Sequence, residues 1–393
     1  MKIIKIETIP VSLPVGKFND GADKVFGYDS PSKYNMDLFS KNKYMLLQGE
    51  KAILSNVIVK IFTDEGFVGI GDAACDKAEP VQVVKSMIDN YIAPRLIGKD
   101  PLDWHCLIEY CSWETERAAT RHSISGIDLA LYDLVGKILD VPVYTLLGGL
   151  RRNKLLASIE VPRGTPDDMA EHSFEYYNQG IRGIKAKIGS NPEWDVECLI
   201  AIREKLGPNI SLRADANCGY TVKEAIRFCK LVEKQNVDLE ILEQPVALQN
   251  IFGLKEVKNS TYIPIEADES AFSLTQVHHL LKNDAVDLIN TKCAKALGIL
   301  GVMQWASVAE AANIPIVIGT EWGTGVKIAA KLHLCAAIKN TDCIVELTEM
   351  MIHELLLKEQ LVLTDGYLDV PTTPGLGLEL DEEKVEAFRT PGL

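Results

Sequence analysis

The stretch Arg182-Gly-Ile-Lys-Ala-Lys-Ile188 decides the fold. Side chains alternate faces along a strand, so Lys185 and Lys187 share one face and Ala186 takes the other. A helical pattern follows at Asp195–Lys205, a β-branched run at 210–216, and the same alternation continues in both directions. Runs at 155–161, 182–188, 210–216, 239–243, 263–267, 286–292, 314–318 and 343–347 read as strands. Between them, Pro166–Gln179, Asp195–Lys205, Val222–Lys234, Phe252–Lys258, Ser273–Lys282, Ile299–Ala312 and Gly325–Ile338 read as helices. Short strands with intervening helices in this number are what a closed (β/α)₈ barrel of the TIM type requires.

The flanks read differently. Residues 2–13 and 54–63 alternate as strands, and Asp64-Glu65-Gly66 signals a turn before Phe67–Gly71 resumes the pattern. From Pro80 to Asp140 the pattern is helical, most strongly over Ile124–Lys137. The long segment Val15–Glu50 contains Phe18, Phe26, Tyr28, Tyr34 and Phe39, poor choices for a solvated tether, so it reads as a lid. Beyond the barrel, Leu361-Val-Leu363 is strand-like, 371–377 is rich in Pro and Gly, and a short helix at the end is expected to pack on the first domain.

At 393 residues the chain exceeds a single core, so two domains are expected. The formal charge of −14 argues against nucleic acid and anionic membranes as partners, though one positive pocket can still take an anionic substrate. No run is long and apolar enough for a membrane span, and the N-terminus lacks the apolar stretch of a secretory signal. Nine scattered cysteines with no Cys-x-x-Cys pair read as reduced thiols, and a cytoplasmic location is expected.

In such a barrel the chemistry lies at the C-terminal strand ends. The second strand ends in Lys185-Ala-Lys187, the third in Arg213-Ala-Asp215, the fourth in Leu242-Glu-Gln-Pro245, the fifth in Glu266-Ala-Asp-Glu269 and the sixth in Asn290-Thr-Lys292. Asp215, Glu243 and Asp268 thus converge from adjacent strands, and such a cluster of anions calls for a hard divalent cation with oxygen ligands. Mg²⁺ suits it, with Mn²⁺ as a substitute. Lys187 and Lys292 flank the trio. A cation there stabilises the charge that develops when the proton next to a carboxylate is removed, and a flanking lysine can take that proton. Lys185 pushes the Lys187 ammonium toward neutrality while the nearby carboxylates push the other way. The plain alternatives are helix-capping carboxylates and lysines that merely balance their charge.

With these residues in place the chain resembles the enolase superfamily, in its muconate-lactonising subgroup. Lys185-Ala-Lys187, Asp215-Ala-Asn217, Glu243-Gln-Pro245, Asp268-Glu269 and Lys292-Cys-Ala-Lys295 before Gly298 match that subgroup's signatures in order and at barrel spacing, as do Ile127–Asp133 and Leu146-Leu-Gly-Gly149. The resemblance implies an α+β capping domain over residues 1–127 with its specificity lid at 15–50, a barrel over 128–369, and a tail, 370–393, returning to the cap. It implies Lys187 and Lys292 as acid and base, and Asp215, Glu243 and Asp268 as metal ligands. Lys185, Asn217, Glu269, Glu321, Trp322 and Arg163 are expected to contact substrate or support the ligands, and Lys295 to lie behind them or in solvent. The leading reading is a racemase or epimerase of a small carboxylate, an amino-acid derivative, forming a homo-oligomer. A dehydratase or other β-eliminating lyase, a cycloisomerase, and a non-catalytic metal-binding barrel are the alternatives.

Three departures are informative. The strand-seven end, Ile318-Gly-Thr-Glu-Trp322, lacks the histidine of the mandelate-racemase subgroup. The position where the muconate-lactonising subgroup often has a glutamate reads Gly323, with Glu321 two residues earlier. At strand eight the Asp-x-Asp of dipeptide epimerases is replaced by Glu346-Leu-Thr348, which counts against a dipeptide substrate.

Overall fold

The computed structural model describes residues 1–14, 46–48, 51–75, 80–112, 121–351 and 354–393. Two sheets organise them. The first is antiparallel: β1 (Ile3–Pro14) pairs with β3 (Lys51–Thr63), which pairs with β2 (Leu46–Gln48) and with β4 (Val68–Ala74). Branched residues on alternate positions of β1 and β3 give the sheet its apolar face, and Gly66, at φ 87°, closes the β3–β4 turn. The helix Arg121–Ile138 lies on this sheet, buried over most of its length. The approach is close because glycines face each other: a Cβ on Gly71 would stand 2.0 Å from the Gly126 carbonyl oxygen. The lid expected at 15–50 lies outside the described residues except for β2.

The second sheet closes on itself. β5 (Lys154–Val161), β6 (Gly183–Lys187), β7 (Ser211–Asp215), β8 (Leu242–Glu243), β9 (Ile265–Ala267), β10 (Leu288–Thr291), β11 (Ile316–Ile318) and β12 (Thr341–Glu346) pair in parallel in chain order, and β12 returns to β5. All eight expected barrel strands form, each connected to the next by a helix, and the barrel is the TIM-type fold expected from the sequence. β9 and β11 are shorter than their apolar runs because Pro264 and Pro315 lie just before them and remove ladder donors, and β8 keeps only Leu242–Glu243.

After β12 the chain makes a 3₁₀ turn at Thr348–Met351, and among the described residues no α-helix forms before β13 (Tyr367–Asp369), which adds antiparallel to β5. The strand expected at Leu361–Leu363 is therefore displaced. A turn through Asp365 and Gly366, both at positive φ, places Tyr367–Asp369 rather than Leu361–Leu363 beside β5.

The tail does return to the first sheet. The Ser12 N–H donates to the Phe388 carbonyl and the Thr390 N–H to Pro10, each at 2.8 Å, beside the helix Glu382–Ala387. Polar contacts also join this cap to the barrel: Asp128 Oδ1 accepts from the Ile299 N–H at 2.6 Å, and Asp72 Oδ2 from the Thr324 N–H at 2.6 Å. The boundary expected at 127/128 falls inside the helix Arg121–Ile138, which packs on β4 and reaches the barrel helix Ile299–Ala311.

Candidate active site

Parallel register brings the strand-end charges into one row. Lys187 pairs with Asp215, Asp215 with Glu243, and Glu243 with Glu266 on neighbouring strands. Two residues beyond Glu266, Asp268 stands past the end of β9, and Lys292 just past β10. Lys187 Nζ donates to Asp215 Oδ2 at 2.6 Å, and Lys292 Nζ to Asp268 Oδ2 at 2.8 Å. The two ammonium groups thus grip the outer members of the Asp215–Glu243–Asp268 row from opposite ends. Burial opposes ionisation of Asp215 and Asp268, yet lysines hold both below the usual carboxylate range: Lys187 and Lys185 for Asp215, Lys292 and Lys295 for Asp268. Glu243 goes the other way, pushed well up by burial and by Asp215.

The barrel floor holds a second grouping. Lys185 Nζ donates to Glu243 Oε2 at 2.9 Å and to Glu346 Oε1 at 2.7 Å, and lies 3.5 Å from Glu160 Oε1. Asn290 Nδ2 donates to Glu266 Oε1 at 2.7 Å. Oxygens of Glu243, Glu266 and Glu346 lie within 4.8 Å of one another, close enough to hold an ion. Glu243 belongs to both groupings, while Glu266 is engaged by Asn290 and is pushed up to about 8 by burial and by Glu346. The strand-end row fits a cation better. Asp215 and Asp268 are ionised, Glu243 lacks a full counter-charge, and the nearby acceptors Asn217 Oδ1 and Glu269 Oε2 are buried without a hydrogen bond among the described residues. A hard divalent ion with its water suits such an all-oxygen set.

Two family models match the chain. "Enolase C-terminal domain-like" covers residues 168–384, and "Mandelate racemase / muconate lactonizing enzyme, N-terminal domain" covers 49–148. The chain belongs to the enolase superfamily. Within it, relatives place the chain in the muconate-lactonising subgroup. It is 34% identical to the L-Ala-D/L-Glu epimerase of Clostridium acetobutylicum over 72% of this chain and 79% of that protein. It is 32% identical to muconate cycloisomerase 1 of Pseudomonas putida over 84% and 90% of the two chains. The substrate-liganded structure of the L-Ala-D/L-Glu epimerase from Bacillus subtilis superimposes with a TM-score of 0.83 at 27% identity, covering 96% of this chain and 99% of that one. This enolase-superfamily chain is a metal-dependent enzyme of the isomerase type.

The remaining expected residues fall into two sets. Asn217 belongs to the row: its N–H donates to Asp215 Oδ1 at 2.8 Å and its Nδ2 to Glu269 Oε1 at 3.2 Å. Lys295 is not in solvent but buried behind Asp268, donating to its Oδ1 at 2.5 Å. Farther off, Glu321 is held by Lys327 at 2.6 Å and by the Ala294 N–H, so its carboxylate is committed to the barrel wall. Trp322 is half-buried at φ 58°, and its carbonyl accepts from Asn56 Nδ2 of the cap at 3.3 Å. Arg163 Nε donates to the Ile188 carbonyl at 2.7 Å. Sequence reasoning passed over Glu160 and gave no site role to Glu266 and Glu346, though it placed both at strand ends. All three stand in the last three residues of an expected strand, which is the signal that flags them.

No helix of the described residues is long and apolar enough to cross a membrane.

Proposed function

We propose that the enzyme racemises or epimerises a small carboxylate, an amino-acid derivative, by removing and returning the α-proton. The observation that carries this is the ring order Lys187, Asp215, Glu243, Asp268, Lys292, with each lysine against the carboxylate nearest it. Asp215, Glu243 and Asp268 would hold Mg²⁺. When bound, the ion offsets the second negative charge that deprotonation puts on the substrate carboxylate. Lys187 and Lys292 then address opposite faces of the α-carbon; one accepts the proton and the other delivers one to the far face, which inverts the centre. Asn217 and Glu269 orient the ligands. Residues 1–127 with the tail 370–393 cover the mouth of the barrel formed by 128–369 and exclude water during the reaction.

The test is incubation in D₂O with Mg²⁺ and a panel of amino-acid derivatives and hydroxy acids, followed by proton NMR and chiral chromatography. Exchange of the α-proton with inversion supports the proposal. A new double bond would mark a lyase, and ring closure a cycloisomerase, the chemistry named for the Pseudomonas putida relative. No α-exchange with any compound would sink all three.

A further inference from the structure

In the closed ring of eight strands, β7, β8 and β9 bear Asp215, Glu243 and Asp268, and β11, β12 and β5 lie across the barrel from them. A substrate whose carboxylate is held on the first wall directs its remaining atoms toward the second. That wall is acidic. Its carboxylates Glu321, Glu346 and Glu160 have very different commitments. Glu321 is fully engaged by Lys327 and the Ala294 N–H. Glu346 accepts from Lys185 on one oxygen and from the Thr320 N–H, at 3.2 Å, on the other.

Glu160 is the exception. It sits beside Lys185 in the register of β5 and β6, near the end of β5. Lys187 Nζ at 2.9 Å and Lys185 Nζ at 3.5 Å both approach the same atom, Oε1. Among the described residues Oε2 accepts no hydrogen bond, and the side chain is 14% exposed where that of Glu346 is 3%. On this wall Glu160 Oε2 is thus a carboxylate oxygen without a hydrogen bond among the described residues, on a side chain that keeps some exposure.

We propose that Glu160 is a specificity-determining residue whose Oε2 receives a cationic nitrogen of the substrate. The substrate class is then an α-carboxylate that carries a positively charged amine, not an acylated amine or a dicarboxylate. This rests on the proposed α-proton chemistry for the position of the substrate carboxylate. A second anion would stand against the unpartnered Oε2, and a neutral acyl group would leave that oxygen without a partner.

Two probes of nearly equal shape separate charge from size: trimethylammonioacetate and 3,3-dimethylbutanoate, each with a carboxylate and an exchangeable α-CH₂. Both are measured on the Mg²⁺-loaded full-length enzyme by calorimetric binding and, separately, by α-proton exchange in D₂O. The cationic probe should bind about tenfold or more tightly. Glu160→Gln should reduce that preference to less than about threefold, whereas Glu160→Asp, which keeps the charge, should retain part of it. Thermal melting of both variants checks the fold, and if Glu160→Gln does not fold, the wild-type pair and Glu160→Asp decide. Equal binding of the probes by the wild-type enzyme, binding of neither, or a preference that survives Glu160→Gln would overturn the proposal and leave Glu160 as a counter-ion to Lys187. A calorimetric preference without α-exchange would instead fault the α-proton chemistry while cation recognition stands.

Discussion

Lys187 with Asp215 and Lys327 with Glu321 are both lysine–carboxylate pairs at 2.6 Å, and distance alone does not tell them apart. Their surroundings do. Lys187 touches two carboxylates on different strands, and its partner stands in a row with Glu243 and Asp268 that ends at Lys292, whose side chain is 21% exposed at the barrel mouth. Lys327 belongs to the helix Gly325–Ala337 outside the strand ring, is 1% exposed, and donates to Ser125 of the cap as well as to Glu321. The first pair belongs to the proposed metal and substrate site. The second joins cap to barrel.

The largest expected effects lie at the proposed site. Asp215→Asn, Glu243→Gln and Asp268→Asn should each lower turnover below about a thousandth of wild type and weaken Mg²⁺ binding, with little change in thermal melting. Excess chelator should do the same to the unmodified enzyme, and readdition of Mg²⁺ should restore it. Full activity in chelator would remove the metal from the account.

At the cap–barrel pair the loss should be in stability. Lys327→Met leaves the Glu321 carboxyl buried without its counter-ion, since Lys327 is what holds it below its usual range against burial. Breaking such a pair costs about 3–5 kcal/mol, and Lys327→Met combined with Glu321→Gln should recover most of it, since Gln still accepts from the Ala294 N–H. Urea titration measures both. If the double variant is as unstable as the single one, the pair is not the source of the cost.

A smaller effect sits on the same helix. His333 Nδ1 accepts from the Tyr144 N–H at 3.2 Å and Nε2 faces the Leu376 carbonyl at 3.1 Å, which specifies a neutral ring. Burial lowers its pKa to about 4, against about 6.5 when unfolded. Between those values the unfolded chain binds the extra proton, so this contribution is complete above about pH 6.5 and is lost as pH falls toward 4. The loss is up to about 3 kcal/mol. His333→Gln should flatten that dependence between pH 7 and 4 without changing metal affinity; an unchanged slope would place the acid sensitivity elsewhere.

The proposed site was largely legible in the sequence because its residues lie at strand ends in a fixed chain order. Period-two alternation put Lys185 and Lys187 on one face, and successive βα units spaced Asp215, Glu243, Asp268 and Lys292 around the ring. The pairings beyond it were not. Glu321 reads in the sequence as a substrate contact or ligand support, and its pairing with Lys327, six residues on, depends on how the chain passes from β11 into the helix Gly325–Ala337. Glu160 and Glu346 meet Lys185 across strands β5, β12 and β6, a contact set by barrel closure between the two ends of the domain. The displaced strand at Tyr367–Asp369 has the same origin, since local alternation cannot say which side of the Asp365-Gly366 turn will meet β5.

The central claim is that Lys187 and Lys292 serve opposite faces of one α-carbon. It is tested most directly by following α-proton exchange in D₂O, enantiomer by enantiomer, in Lys187→Ala and Lys292→Ala. Each variant should exchange one enantiomer only, the two patterns should be mirror images, and both should lose racemisation by about a thousandfold or more. Exchange of both enantiomers in both variants would contradict the claim, because one remaining lysine cannot reach both faces.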